Sequence, residues 1–125
     1  MIVYACSDLI FSTRIRAGAE ALGVPSRPAR NADALQRRLE RVEDGKLNDP
    51  VTALLVDLDL GDAGLDLIGQ TKAHDPAIPV VAFGSHVATE ILAGARQRGA
   101  DFVMARSAFV ANLNDILQRF GGATL

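Results

Sequence analysis

Ala53-Leu54-Leu55-Val56-Asp57-Leu58-Asp59-Leu60-Gly61-Asp62-Ala63-Gly64 is the stretch on which the fold turns. Its apolar run shows no alternation, which marks a strand buried on both faces at the middle of a parallel sheet. The run begins at Val51 and ends on the carboxylate of Asp57, and a second carboxylate, Asp59, follows two residues later. In an open α/β sheet, ligands gather outside the carboxyl ends of the strands, so Asp57 falls where a site belongs.

Short apolar runs and amphipathic stretches alternate on either side. Met1 to Cys6 reads as a strand, and Ser7 or Asp8 caps a helix running to Leu22, with Gly23 as its stop. Val24 to Ala29 carries Pro25 and Pro28, which cannot donate to a ladder, so this strand is short and at a sheet edge. Asn31 caps a helix marked by Leu35, Leu39 and Val42, and a loop from Asp44 to Pro50 ends it. Beyond the central strand the pattern predicts a helix from about Leu65 to Ala73, a strand over Ile78 to Phe83 and an amphipathic stretch from Val87 to Arg98 stopped by Gly99. The last strand is Asp101 to Ala105. Ser107 then caps a final helix whose Phe109, Val110, Leu113, Ile116, Leu117 and Phe120 form an apolar face before Gly121-Gly122. Five βα units with no repeat or linker predict one α/β domain over 1–125, a three-layer, doubly wound parallel sheet.

Composition narrows the function classes. A chain of 125 residues that is 49% hydrophobic is long enough to bury its own core. The lone Cys6 has no disulfide partner, and no signal-peptide pattern or apolar run of about 18 residues occurs, so the expected setting is the cytoplasm. The net charge of -2 hides an asymmetry: residues 1–41 carry seven arginines against four acids, and the remainder six bases against eleven acids. Arg27, Arg30, Arg37, Arg38 and Arg41 are the centre of the basic part, either a patch for an acidic partner or a solvated helix face. Nucleic acid is not expected, because the chain is acidic overall and its few aromatics are not interleaved with the arginines.

The layout resembles the receiver domain of two-component response regulators, in a degenerate, pseudo-receiver form. The resemblance spans the whole chain. It rests on the strand ending at Asp57, Gly64-Leu65-x-Leu67-Ile68, Ile78-Pro79-Val80-Val81-Ala82-Phe83 and Arg98-Gly99-Ala100-Asp101-Phe102-Val103. It implies a flavodoxin-like five-stranded sheet of order 2-1-3-4-5 and makes Asp57 the equivalent of the phosphoacceptor. Departures from the family pattern surround that residue. Gly61 takes the position of a proline, and Gly64 comes one residue early, so the loop after Asp57 is shortened. The acidic pair that holds Mg²⁺ in the family aligns with Cys6-Ser7, with Asp8 immediately after. Gly84 stands at the Ser/Thr position beside Ser85, Val103 at the switching aromatic, Arg106 at the lysine and Ser107 at the following proline.

Phosphoryl transfer to a carboxylate depends on positioning and on neutralising oxygen charge with Mg²⁺ and a cation. A rebuilt metal seat would draw on Asp8, Asp57 and Asp59, whereas without it Arg106 is expected to reach in as their counter-ion. The resulting expectation is a signalling and protein-interaction module that is not an enzyme and needs no cofactor. Its expected partner is a histidine kinase, a signalling effector or a second copy, with neither nucleic acid nor membrane involved. The alternative is an atypical receiver phosphorylated on Asp57 with Mg²⁺. As the resemblance implies, the expected interaction face combines Ile91 and Leu92 with Phe109, Val110, Leu113, Ile116, Leu117 and Phe120.

Other chemistry is less well supplied. Val56-Asp57-Leu58-Asp59-Leu60-Gly61 also resembles the nucleophile motif of haloacid-dehalogenase phosphatases. That motif normally opens the chain and needs a later lysine and acidic pair, which this sequence lacks. Cys6 has no thiol partner, and neighbouring carboxylates raise a thiol pKa, so it is expected to fill space at the strand end. His74 and His86 show no metal-ligand spacing.

Overall fold

The computed structural model describes residues 1–121, and of Glu43 only the backbone. Gly122, the second half of the Gly121-Gly122 stop, lies outside the described residues. Strands β1 (Ile2–Ala5), β2 (Ser26–Pro28), β5 (Ala53–Asp57), β6 (Val80–Gly84) and β7 (Phe102–Ala105) form a parallel sheet of order β2-β1-β5-β6-β7. With the small hairpin β3 (Val42–Glu43) and β4 (Lys46–Leu47) left uncounted, this is the order 2-1-3-4-5.

Alternate residues of each central strand feed opposite cores, as a pleat requires. Val3, Ala5, Leu54, Val56, Val80 and Ala82 pack on one side against Leu35 and Leu39 of α2 (Ala32–Glu40), Leu67 and Ile68 of α3 (Asp62–His74) and Ala95 of α4 (Thr89–Gln97). Ile2, Tyr4, Leu55, Val81 and Phe83 pack on the other against α1 (Leu9–Ala21), α5 (Arg106–Ala111) and α6 (Leu113–Phe120). Burial on both faces is why these strands read as unbroken apolar runs. The chain leaves β1 for β2 on one side and returns to β5 on the other. This topological switch opens a crevice beyond the ends of β1 and β5.

Strands and helices shift by a residue or two at several ends, with β6 starting at Val80 rather than Ile78 and α4 at Thr89 rather than Val87, and four differences are larger or change a role. Val42 is not helical: α2 ends at Glu40, Arg41 adopts the left-handed conformation (φ 67°), and Val42 pairs with Leu47 across a turn whose Asp44 and Gly45 also have positive φ. Asp-Gly is a strong two-residue hairpin signal, which overrides the helical spacing of Val42. Helix α3 starts at Asp62 rather than Leu65, because Gly61 (φ 66°) turns the chain directly out of a short 3₁₀ turn, Leu58–Leu60. The C-terminal helix is two: it breaks at Asn112, whose Nδ2 donates to the Ala108 carbonyl. Ser107 is no cap, since α5 already begins at Arg106 and has no side-chain cap.

At the amino end of the sheet, the Lys72 ammonium donates to the carbonyls of Pro76 (3.1 Å) and Ile78 (2.7 Å) and to Asp101 Oδ2 (2.6 Å). The same carboxylate oxygen accepts from the Val80 amide at 2.8 Å, so one charge pair ties the start of β6 to the approach to β7. Burial alone would raise the Asp101 carboxyl, but the bonds from Lys72 and Val80 hold it below its ordinary value. A depressed folded-state pKa gives stability that is complete above the unfolded value and lost as pH falls through the folded one. Asp101→Ala is expected to lower stability at neutral pH by about 1 kcal/mol, since solvent screens a carboxylate that is 41% exposed, and to flatten the acid limb of the stability profile, measured by urea unfolding between neutral pH and pH 3. An acid limb that keeps its wild-type slope would remove Asp101 from this account.

Candidate functional site: a closed aspartate pocket

Asp57 is the last residue of β5, and its side chain is 1% exposed. Its carboxylate accepts four hydrogen bonds. Oδ2 takes the Ser7 amide at 3.1 Å and the Ser7 hydroxyl at 2.7 Å, while Oδ1 takes the Asp59 amide at 3.0 Å and Arg106 Nη2 at 3.1 Å. Arg106 Nη2 also reaches Asp59 Oδ2 at 2.8 Å, so one guanidinium bridges both carboxylates. Burial by itself would push the Asp57 carboxyl up, yet the Ser7 hydroxyl, the Asp59 and Ser7 amides and Arg106 together hold it below the ordinary carboxylate value. Partial burial would likewise weaken the Arg106 cation, and its bonds to Asp59 and Asp57 overcome that.

Local sequence explains each donor. The Asp57 side chain caps the 3₁₀ turn by accepting from the Asp59 amide. Gly64 lets the first turn of α3 approach the end of β5: a Cβ there would lie 3.3 Å from the Asp57 carbonyl oxygen. Arg106 emerges where β7 passes directly into α5. Its guanidinium also lies over the Phe11 ring, with Cζ 5.8 Å from the centroid. Phe11 in turn stacks on Phe83 at 5.3 Å and on Phe109 at 6.1 Å. The sequence places Arg106 beside these carboxylates through the family resemblance, but it gives no means of pairing Phe11, Phe83 and Phe109, which lie far apart in the chain and meet only in the folded crevice.

The remaining sequence candidates fall into distinct places. Ser7 replaces an acceptor by a donor and so becomes a partner of Asp57. Asp8 is exposed and caps α1, its Oδ1 accepting from the Phe11 amide at 2.7 Å. Asp8, Asp57 and Asp59 do not converge as a ligand set: among the described residues no group of three His, Cys, Asp or Glu is placed to hold a metal ion. The Cys6 thiol is pushed up to about 12, chiefly by burial, with Asp57 and Asp8 adding to it and a hydrogen bond with Ser12 opposing. Gly84 lies inside β6, and a Cβ there would stand 3.1 Å from Cβ of the buried Leu58. Leu58 therefore fills the space that a larger residue at this position would need. Ser85 Oγ accepts from the Val87 amide at 3.4 Å in the following turn. Val103 is half-buried against the first core, and Ser107 is exposed.

The expected interaction face is corrected by packing. Phe109, Leu113, Ile116 and Leu117 are buried in the second core, with Phe120 packed against it, and Ile91 and Leu92 pack against the first. Val110 is half-buried. Phe109, Leu113, Ile116 and Leu117 are thus spent on the core, and the half-buried Ile91, Leu92, Val110 and Phe120 are what remains of that face. The basic residues are divided by folding, with Arg27, Arg30 and Arg37 exposed. Arg38 is buried and donates to the Pro28 carbonyl at 3.2 and 3.3 Å, Arg41 Nε donates to the Asn48 carbonyl, and Arg27 Nη1 donates to Asn48 Oδ1.

This geometry can be set beside known proteins. No family model and no curated protein matches the sequence. Among solved structures, a response regulator from Thermotoga maritima aligns with a TM-score of 0.73 and 16% identity, over 98% of this chain and 97% of that one. The receiver domain of NtrX from Brucella abortus gives 0.75 and 19% identity, over 99% and 100%. The chain has the receiver-domain fold. A third such structure, the phosphorylated cyanobacterial phytochrome response regulator RcpA, aligns with a TM-score of 0.68 and 15% identity over 99% of this chain and 96% of that one.

Two outcomes test this receiver-fold pocket. Ser7→Ala is expected to raise the Asp57 titration, followed by carboxyl carbon NMR, and to cost about 1–3 kcal/mol at neutral pH. An Asp57 titration that does not move would show that the hydroxyl plays no part. Gly84→Thr is expected to lose about 1–3 kcal/mol through overpacking, and in a double-mutant cycle with Leu58→Ala that cost should shrink. Strictly additive unfolding free energies would separate the two positions.

Proposed function

We propose that this chain is a receiver-type signalling module that works by binding a protein partner, with Asp57 held in a permanently neutralised pocket. The observation that carries this reading is the fourfold saturation of the Asp57 carboxylate, whose two oxygens offer about four lone-pair sites. An incoming phosphorus or metal would have to displace a donor that is already in place. Arg106 supplies a fixed positive charge and holds the second carboxylate as well.

The residues do not fit Mg²⁺. That ion asks for near-octahedral oxygen ligands. Asp57 has none to spare, Oδ1 of Asp8 is engaged at the start of α1, Oδ2 of Asp59 is engaged by Arg106, and the β1 end offers a thiol and a hydroxyl. Arg in place of the family's lysine keeps the sign of the charge but spreads it over a planar fork that spans two carboxylates. Turnover is therefore no part of the proposed activity. Leu9 and Ile10 after β1 and Val87 after β6 are 71%, 78% and 72% exposed, and they place apolar surface on the same rim of the sheet as Asp57. This supports a protein partner at that rim, either a histidine kinase, a signalling effector or a second copy of the chain.

Incubation with acetyl phosphate and Mg²⁺ is expected to leave the intact mass unchanged. A stoichiometric phosphate adduct that is lost in Asp57→Asn would replace this reading with that of a phosphorylatable receiver.

A further inference from the structure

A groove opens between the start of α1 and the ends of β1 and β2. It adjoins the Asp57 pocket, and of its lining only Leu9 belongs to the rim surface described above. Its inner part is a cavity of about 80 Å³ whose polar lining is Tyr4, Ser12, Thr13, Arg16 and Arg30, with Pro28 as an apolar wall. A wider pocket that shares Cys6, Leu9, Ser12 and Arg30 with it lies alongside as its mouth and adds Ser7, Asp8 and Leu60. Arg16 comes from α1 and Arg30 from the segment between β2 and α2, so tertiary folding brings together two cations that sequence separates. Neither has a hydrogen-bond or ion-pair partner among the described residues.

The rest of the lining favours a negative guest. Tyr4 is 4% exposed as a residue, and burial raises its phenol, with the nearby Arg16 charge opposing the shift and Cys6 and the Glu20 carboxylate adding to it, so the hydroxyl stays protonated. Ser12 and Thr13 add two neutral hydroxyls. The Cys6 thiol, pushed up to about 12, brings no charge. The acid at the mouth is Asp8, one oxygen of which is held by the Phe11 amide. Guanidinium groups present paired donors in a plane that matches carboxylate and phosphate oxygens.

We propose that this groove binds a small oxyanion, the phosphate or carboxylate group of a low-molecular-weight ligand, between Arg16 and Arg30, with Tyr4, Ser12 and Thr13 as neutral donors. The inner cavity accommodates the anionic group alone, and the remainder of the ligand lies in the mouth against Leu9 and Leu60. The proposal stands whether or not Asp57 accepts phosphate, because it uses a different set of side chains.

The test is a ¹H-¹⁵N NMR titration of the full chain with inorganic phosphate, sulfate and acetate at constant ionic strength. Saturable shifts are expected at Ser12, Thr13 and Arg30 and at the Arg16 and Arg30 side chains. The tighter of phosphate and acetate identifies which kind of oxyanion the groove takes. Arg16→Gln with Arg30→Gln should weaken binding at least about tenfold, or about 1.4 kcal/mol. Both arginines are exposed, so the fold is expected to hold, as a circular dichroism melt would verify. Tyr4→Phe should weaken binding without displacing the two arginines. Shifts that rise without saturation at all surface arginines alike, or an affinity unchanged in the double arginine variant, would overturn the proposal.

Discussion

A carboxylate with 1% exposure at the end of the central strand must be compensated, and much of the crevice is arranged around that requirement. Four donors arrive from three separate places: the turn after β1, the 3₁₀ turn after β5 and the first residue of α5. Each pins its own segment to the sheet. Removing a donor leaves the charge partly uncompensated, which costs more than the net worth of the bond itself. The pocket is thus a structural joint at the carboxyl end of the central strand.

The joint is closed on its other sides by shape. Leu58 occupies the space in front of Gly84, and Gly64 allows α3 to start against the Asp57 carbonyl. Arg106 is held from below by Phe11, whose ring stacks on Phe83 and Phe109. A movement of Arg106 would be felt by this aromatic group and therefore by α1 and α5 together.

The arginine-rich first third of the chain illustrates how charge is partitioned by folding. Arg38 and Arg41 supply backbone carbonyls with donors and Arg27 serves a side-chain oxygen, tying β2, α2 and the β3–β4 hairpin together. Arg30 is left to face Arg16 across a groove that only the α1 and β2 geometry creates. A sequence count of positive charge says nothing of this division, because each arginine's role depends on what lies within reach of its long side chain.

The sequence by itself determined the alternating βα order, the edge position of the Pro25–Pro28 strand, the central place of the run ending at Asp57, the cap at Asn31 and, as one of two choices with Ser7, the cap at Asp8. These follow from local rules: apolar periodicity, the missing proline donor and side chains that reach an amide three residues on. It also placed Arg106 near Asp57, though only through resemblance to a family. Tertiary structure alone decided that Ser7 would be a donor to Asp57, that Leu58 would block Gly84 and that Asp8 would stand apart from the two carboxylates Arg106 bridges. It decided too that Phe109, Leu113, Ile116 and Leu117 would be spent on the core. The physical reason is that hydrogen-bond saturation, steric exclusion and burial are properties of atoms brought together across some 26 to 50 residues of chain, and a pattern read along one sequence carries spacing but not proximity.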